Sequence, residues 1–246
     1  MVKKIKRIPK ALIYRVKIML EKMKGLDFTK QHITDELGLS ADIAKGYEPS
    51  KEDDLTMLLK QLDIKSTDAI LDYGSGKGFA MVVMSKFDFS LVGGVELSEK
   101  LVEICKRNIS KLGIKKTEVF HSNAMEFKEL DRFTHFYLYN PFPEVILQEV
   151  LQNIQESHQR KPRKITLVYN CPRLRDIIKN HPFFEEIKEI KGKHWDIVIY
   201  SNLKKKNEQS IAGLPSFWMS LSVCVCRFKG RCEFHLRLNT GQETQR

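Results

Sequence analysis

The chain has no apolar run long enough to cross a membrane or to serve as a signal core. Its most hydrophobic N-terminal stretch, ALIYRVKIMLEKM, is broken by Arg15, Lys17, Glu21 and Lys22. It has no internal repeat. The five cysteines, Cys105, Cys171, Cys224, Cys226 and Cys232, form no paired framework and follow no secretory signal. A disulfide-stapled fold is therefore not expected. Reduced thiols in a cytoplasmic protein are the simplest reading. Nor is there a CxxC knuckle. Cys224, Cys226, Cys232 and His235 give only CxC spacing, so no metal site is expected. Acidic excess is absent too. The 42 Lys and Arg residues against 31 Asp and Glu leave a net charge of +11 and a pI near 9.3, which makes an anionic partner plausible.

What is present falls into three parts. Residues 1–46 read as a basic helical segment, in which Lys3, Lys4, Lys6, Arg7 and Lys10 precede or begin a helix. Leu12, Val16, Met19, Leu20 and Met23 line one face of that helix at helical spacing. The expected arrangement is this stripe packed on the main domain with a solvated basic face. A basic arm for anionic lipid, nucleic acid or substrate is the rival. FTKQHITDELGLS reads as a second short helix. Residues 47–204 form the main domain. There Ser50 and Asp53 make a capping-box pattern before a helix bearing Leu55, Leu58, Leu59 and Leu62. Strand and helix patterns then alternate, from TDAILDY to a closing pair, FFEEIKEI and KHWDIVIYSNL, joined by the tight turn KGK. That alternation predicts an α/β fold: a doubly wound, mainly parallel, seven-stranded Rossmann-like sheet whose last strand is antiparallel. Residues 205–246 do not continue it and read as a hairpin or a disordered tail.

The chemistry centres on LDYGSGKG, residues 71–78. A triphosphate loop needs GxxxxGK followed by Ser or Thr, but Gly76-Lys77 is followed by Gly78. A dinucleotide loop needs GxGxxG, but the third glycine position holds Phe79, which argues against a nicotinamide oxidoreductase. The pattern GxGxG behind an acid suits a nucleoside lacking a pyrophosphate, namely S-adenosylmethionine. Asp72 is placed to receive an ammonium group. Gly74, Ser75, Gly76 and Gly78 let backbone approach the ligand. Glu96, followed by Leu97 at the end of the second strand, suits two ribose hydroxyls. Asn123 and Ala124, after the third strand, fall where adenine would lie. Asn140, Pro141 and Phe142 end the fourth strand, beside the reacting edge, since ligands bind beyond the carboxyl ends of parallel strands. Lys77 reads as an ordinary first-turn residue.

GYEPSKEDDLTMLLKQL, LDYGSGKG, GVELSEKLVEICKRN, FYLYNPFP and ITLVYNCP occur in the order seen in class I S-adenosylmethionine-dependent methyltransferases. The chain resembles a bacterial group of these enzymes with YEPS, DxGSGKG, GVELS and LYNPF motifs. The resemblance implies that Asp72, Gly74, Gly76 and Glu96 bind the cofactor and that Tyr47 and Ser50 lie over it. It leaves the N or O acceptor open among protein, RNA, glycan and small molecules, because NPFP is not the NPP-aromatic motif of amino-methylating enzymes. The base candidates are Tyr47, Tyr139 and His194. Lys191, Lys193 and His194 could form a basic rim for an anionic acceptor. The rival function is a non-catalytic nucleic-acid-binding or adaptor protein on the same fold.

Overall fold

The computed structural model describes residues 9–32, 35–37 and 46–203. The expected C-terminal hairpin and the cysteines and histidine beyond residue 204 lie outside these. The element order is α1 (Lys10–Met23), α2 (Glu52–Leu59), β1 (Ala69–Tyr73), α3 (Phe79–Met84), β2 (Leu91–Glu96), α4 (Glu99–Lys111), β3 (Thr117–His121), β4 (His135–Tyr139), α5 (Glu144–Arg160), β5 (Thr166–Asn170), α6 (Arg175–Lys179), β6 (Glu185–Ile190) and β7 (Ile197–Ser201). The sheet has seven strands in the order β3-β2-β1-β4-β5-β7-β6. All neighbours pair parallel except β7, which runs antiparallel to both β5 and β6. The predicted doubly wound architecture is therefore the one found.

The central strands are buried along nearly their whole length and mostly apolar, because helices cover both faces of the sheet. Alternate residues serve opposite layers. Leu71, Tyr73, Phe136, Leu138, Leu167 and Tyr169 pack with Leu147, Val150, Leu151 and Ile154 of α5. Ile70, Tyr137 and Val168 pack on the other side with Leu55, Leu58 and Leu59 of α2, Met81 and Met84 of α3, and Ile109 of α4. Each fully buried leucine of the α2 stripe contributes about 2 kcal/mol by removing apolar surface from water. Leu62 completes the stripe only partly buried.

Four local expectations change. Ser50 does not cap α2. The cap position is Lys51, without a side-chain hydrogen bond, and Ser50 Oγ instead accepts from Tyr137 Oη at 3.2 Å. The segment from Phe28 is not a helix in its described part. It runs through bends to a bridge between His32 and Tyr47, and only Asp35–Leu37 makes a short helical turn. Its backbone is used by distant partners, which compete with the local i→i+4 pattern. The β6–β7 connection spans the six residues 191–196 rather than a three-residue turn. Finally, α1 does not bury its apolar stripe. Leu12, Val16, Met19, Leu20 and Met23 are between 46% and 74% exposed. Polar groups attach the helix instead. Glu21 Oε2 accepts from the amides of Phe28 (2.9 Å) and Thr29 (2.8 Å), its other oxygen accepts from Thr29 Oγ1, and Tyr14 Oη donates to Thr29 O at 3.3 Å.

Candidate functional site

One cleft lies beyond the carboxyl ends of β1, β2, β4 and β5, on the side where open parallel sheets bind ligands. Every cofactor and acceptor residue expected from the sequence lines it except Gly78, whereas the base candidate His194 and the expected rim lysines Lys191 and Lys193 do not. The loop after β1 is folded back by two bonds, from Gly74 N and Ser75 N to Val95 O, at 2.9 and 3.0 Å. Gly76 has φ +54°, and a Cβ there would sit 2.5 Å from the Tyr47 ring. Gly78 has φ +82°, and its Cβ would meet Cys105 Sγ at 2.5 Å. The third glycine thus serves the contact between α3 and α4 rather than the cleft wall.

Two carboxylates close the inner end. Asp72 is buried and has no hydrogen-bond partner among the described residues. Burial first, and the neighbouring Glu96 second, push its pKa up to about 8. Glu96 accepts from Gly76 N at 2.8 Å and Ser98 N at 2.9 Å, so it staples the glycine loop to the end of β2. Burial raises its pKa against these backbone donors. Ser75 Oγ is buried without a hydrogen-bond partner among the described residues. Asn123 lines the outer part, and its Oδ1 already accepts from Met125 N at 3.1 Å as a turn-forming side chain. One of its two lone-pair directions remains for a ligand.

The segment before α2 forms the opposite wall. Tyr47 lays its ring over Gly76 and donates its hydroxyl to Phe28 O at 2.8 Å. Burial drives its pKa well above the ordinary tyrosine value. Its ring, not its hydroxyl, is what the cleft receives. Ser50 joins a chain in which Asn170 Nδ2 donates to Tyr137 Oη at 2.9 Å and Tyr137 donates onward to Ser50. Lys77 is the clamp beneath this wall and not a first-turn surface residue. Its fully buried Nζ binds Asp27 Oδ1 at 2.5 Å and Lys30 O at 2.8 Å and lies 5.2 Å from the Tyr47 ring.

At the edge of the cleft formed by the ends of β4 and β5, Asn140 and Cys171 have positive φ, +42° and +55°. Asn140 is buried, and its Oδ1 accepts from Tyr169 Oη at 3.1 Å. Pro141 would touch a Cβ on Gly74 at 3.0 Å, and Phe142 packs edge-on against Tyr73 at 6.0 Å. Of the base candidates, Tyr139 is pushed up to about 12 by burial and Tyr47 is raised further from use. His194 is held through Nδ1 by Asp54, at 3.1 Å.

Sequence reasoning missed three residues here. Buried Asp54 gathers the amides of Lys193 (2.7 Å), His194 (3.1 Å) and Trp195 (3.4 Å), fixing the β6–β7 turn against α2. Trp195 thereby reaches the cleft, which it lines together with Tyr139. Arg173 lies 6.0 Å from the Trp195 ring and forms no ion pair among the described residues. The anticipated basic rim is instead neutralised from within: Lys191 pairs with Glu189 and Asp196, and Lys193 with Asp53. Only the acids of EDD and the lysines of KGK hinted at this, and their partners lie about 140 positions apart.

Residues 15–148 match the family described as Protein-L-isoaspartate(D-aspartate) O-methyltransferase (PCMT). Solved structures of like fold include an RNA methyltransferase from Salinibacter ruber in complex with S-adenosyl-L-homocysteine. It shares 16% identity over 65% of this chain and 97% of that one, with a TM-score of 0.51. The putative methyltransferase yhhF from Escherichia coli shares 15% identity over 64% and 90%, with a TM-score of 0.53. A SAM-dependent methyltransferase from Aquifex aeolicus shares 15% over 61% and 90%, with a TM-score of 0.50. At these identities the likeness is one of fold.

Proposed function

The chain belongs to the PCMT family, and from that membership and the geometry of the cleft we propose that it transfers the methyl group of S-adenosylmethionine to an acceptor that arrives already nucleophilic. The observation that carries this reading is the buried carboxylate of Asp72, without a hydrogen-bond partner among the described residues, beside the backbone-anchored carboxylate of Glu96. A buried carboxylate without a partner is costly unless a cation completes it. The cofactor's ammonium group fits that position, and the partnerless Ser75 Oγ offers a further polar contact.

The residues that would hold the cofactor are Asp72 for the ammonium, Gly74–Gly76 for the amino-acid part, Glu96 and Leu97 for the ribose, and Asn123 and Ala124 for the adenine. Tyr47 covers the loop with its ring. When bound, the cofactor supplies a methyl group activated by a sulfonium centre, so the protein's task is mainly alignment. Asn140, Pro141 and Phe142 form the acceptor wall. Tyr169 is the positioning residue that fixes the Asn140 amide. Residues 47–204 carry these groups, with Phe28 O and Asp27 holding Tyr47 and Lys77 from the preceding segment.

No expected base is set up to remove a proton in the cleft near neutrality, because the two candidate tyrosines are raised and His194 does not line the cleft. A carboxylate or neutral amine needs no such base, whereas a hydroxyl does. A carboxylate suits the site better. The family name specifies O-methyl transfer, and the guanidinium of Arg173, without an ion pair among the described residues, lines the cleft.

Calorimetric titration with S-adenosylmethionine, S-adenosylhomocysteine and NAD is the test. Binding of both sulfur ligands and not of NAD, weakened at least tenfold in Glu96→Ala, is expected. No binding of either sulfur ligand would sink the enzyme reading and favour the adaptor. Transfer of labelled methyl groups to base-labile products would identify a carboxylate acceptor.

A further inference from the structure

Helix α1 turns its larger apolar face away from the protein. On the side facing the protein, Tyr14 and Glu21 hydrogen-bond to the Phe28–Thr29 backbone, Lys17 Nζ lies 5.7 Å from the Phe79 ring, and Ile18 alone of the helix's aliphatic side chains is half-buried. At 100° per residue, Leu12, Ile13, Val16, Met19, Leu20 and Met23 fill one continuous arc of about 120° on the far side. All six are between 46% and 74% exposed. A contiguous exposed apolar face of this kind marks an interaction surface.

The charges around the arc choose its partner. Arg15 and Lys22 border it on one side and Lys17 on the other, and no acid lies on it. Glu21, the only acid of the helix, is turned inward and spent on Phe28 and Thr29. In sequence the helix is preceded by Lys3, Lys4, Lys6 and Arg7 with no acid among the first ten residues. An apolar arc rimmed by cations is complementary to a surface that is apolar within and anionic at its face. Fourteen residues extend only about 21 Å at 1.5 Å per residue, short of the roughly 30 Å bilayer core. No helix among the described residues is long and apolar enough to cross a membrane. A helix with these dimensions lies in the headgroup plane.

We infer that α1 docks the protein on an anionic lipid bilayer, with Leu12, Val16, Met19, Leu20 and Met23 in the interface. The next segment, from Asp27 to Lys30, is clamped by Lys77 of the glycine loop. Docking would therefore hold the cleft close to the bilayer, within reach of an acceptor carried there. This inference does not depend on the identity of the acceptor or on catalysis.

The test is co-sedimentation of the full chain with vesicles of phosphatidylglycerol and phosphatidylethanolamine, compared with vesicles of phosphatidylcholine alone. At least tenfold stronger partition onto the anionic vesicles is expected, declining as salt rises from about 0.1 to 0.5 M. The double variant Met19→Glu/Met23→Glu should lose at least tenfold in partition while keeping the wild-type melting temperature. Equal partition of wild type and variant, or none by either, overturns the proposal. So does a wild-type dimer that the variant splits, which would place a second copy on the face. A lowered melting temperature would place another segment of the same chain there. Retention by RNA but not by vesicles, lost in the variant, would assign the face to nucleic acid.

Discussion

Asp72 and Glu96 set the strongest constraint at the scale of single residues. Two buried carboxylates at the ends of adjacent strands repel, and the one without backbone donors keeps its proton up to about pH 8. Binding of a cationic ligand group requires the charged form. Cofactor affinity should therefore rise about tenfold per pH unit below pH 8 and level off above it, since each unit is worth 1.36 kcal/mol. Calorimetry between pH 6 and 9 measures this directly. Asp72→Asn should abolish the slope and weaken binding at pH 8 by at least tenfold. A slope that persists in Asp72→Asn would reassign the titrating group. Arg173 permits a second prediction. Its guanidinium pairs with no carboxylate among the described residues, so it is available to the acceptor. Arg173→Ala should raise the acceptor KM by roughly ten- to a hundredfold, the loss of one charge-assisted contact, and leave the cofactor Kd unchanged. Steady-state kinetics with each substrate varied separately distinguishes the two constants.

At the scale of elements, two connections hold the cleft walls. The strap from Gly25 to His32 is tied to the glycine loop by Lys77 and to α4 by Asn108, whose amide donates to Asp27 O and Lys77 O at 3.0 Å each. Lys77→Met should destabilise the fold by about 2 kcal/mol, because it removes one partner of a largely desolvated pair. A double-mutant cycle with Asp27→Asn should give a coupling of about 1–3 kcal/mol by denaturant unfolding. Asp54 plays the same part for the β6–β7 turn. Asp54→Ala leaves three amides without their acceptor and should cost about 1–3 kcal/mol, while the displaced Trp195 raises acceptor KM but not cofactor Kd. These ties explain what was legible beforehand. The strands were, because their apolar runs and turn residues are local. So were Asp72, Glu96 and Asn140–Phe142, because strand ends converge on one edge in any doubly wound sheet. Lys77, Asp54, Arg173 and Trp195 were not, since their roles come from partners 22 to 141 positions away. The apolar stripe of α1 was also legible, but periodicity locates a face without saying whether the protein or something else covers it. The supposed helix from Phe28 failed because Glu21 and Lys77 take up its backbone groups.

For the whole molecule, the pH dependence of stability follows from groups held in their neutral forms. His135 is buried against Phe89, and desolvation lowers its pKa to about 4. A base with a depressed folded pKa contributes stability above its unfolded value of about 6.5 and loses it as pH falls through that window. Asp72 has the opposite sign. An acid with a raised folded pKa is most stabilising while protonated, and that contribution is lost as pH rises from its unfolded value towards about 8. Glu96, also raised, acts in the same direction as Asp72. Between pH 4 and 6.5 the slopes of His135 and Asp72 oppose one another. Above pH 6.5 the histidine is silent and the carboxylates dominate. The ligand-free protein should lose about 2 kcal/mol between pH 6.5 and 8, since 1.5 units at 1.36 kcal/mol apiece is released by Asp72 alone. Urea unfolding at the two values is the measurement. Asp72→Asn should flatten this limb and leave the protein more stable than wild type at pH 8, at the expense of the cofactor site. Saturating S-adenosylhomocysteine should flatten it in the wild type, because the ligand's ammonium neutralises the carboxylate that burial otherwise penalises. A wild-type limb that is flat without ligand would mean that Asp72 is already neutralised in the free protein, and the site for the ligand's ammonium would have to be sought elsewhere.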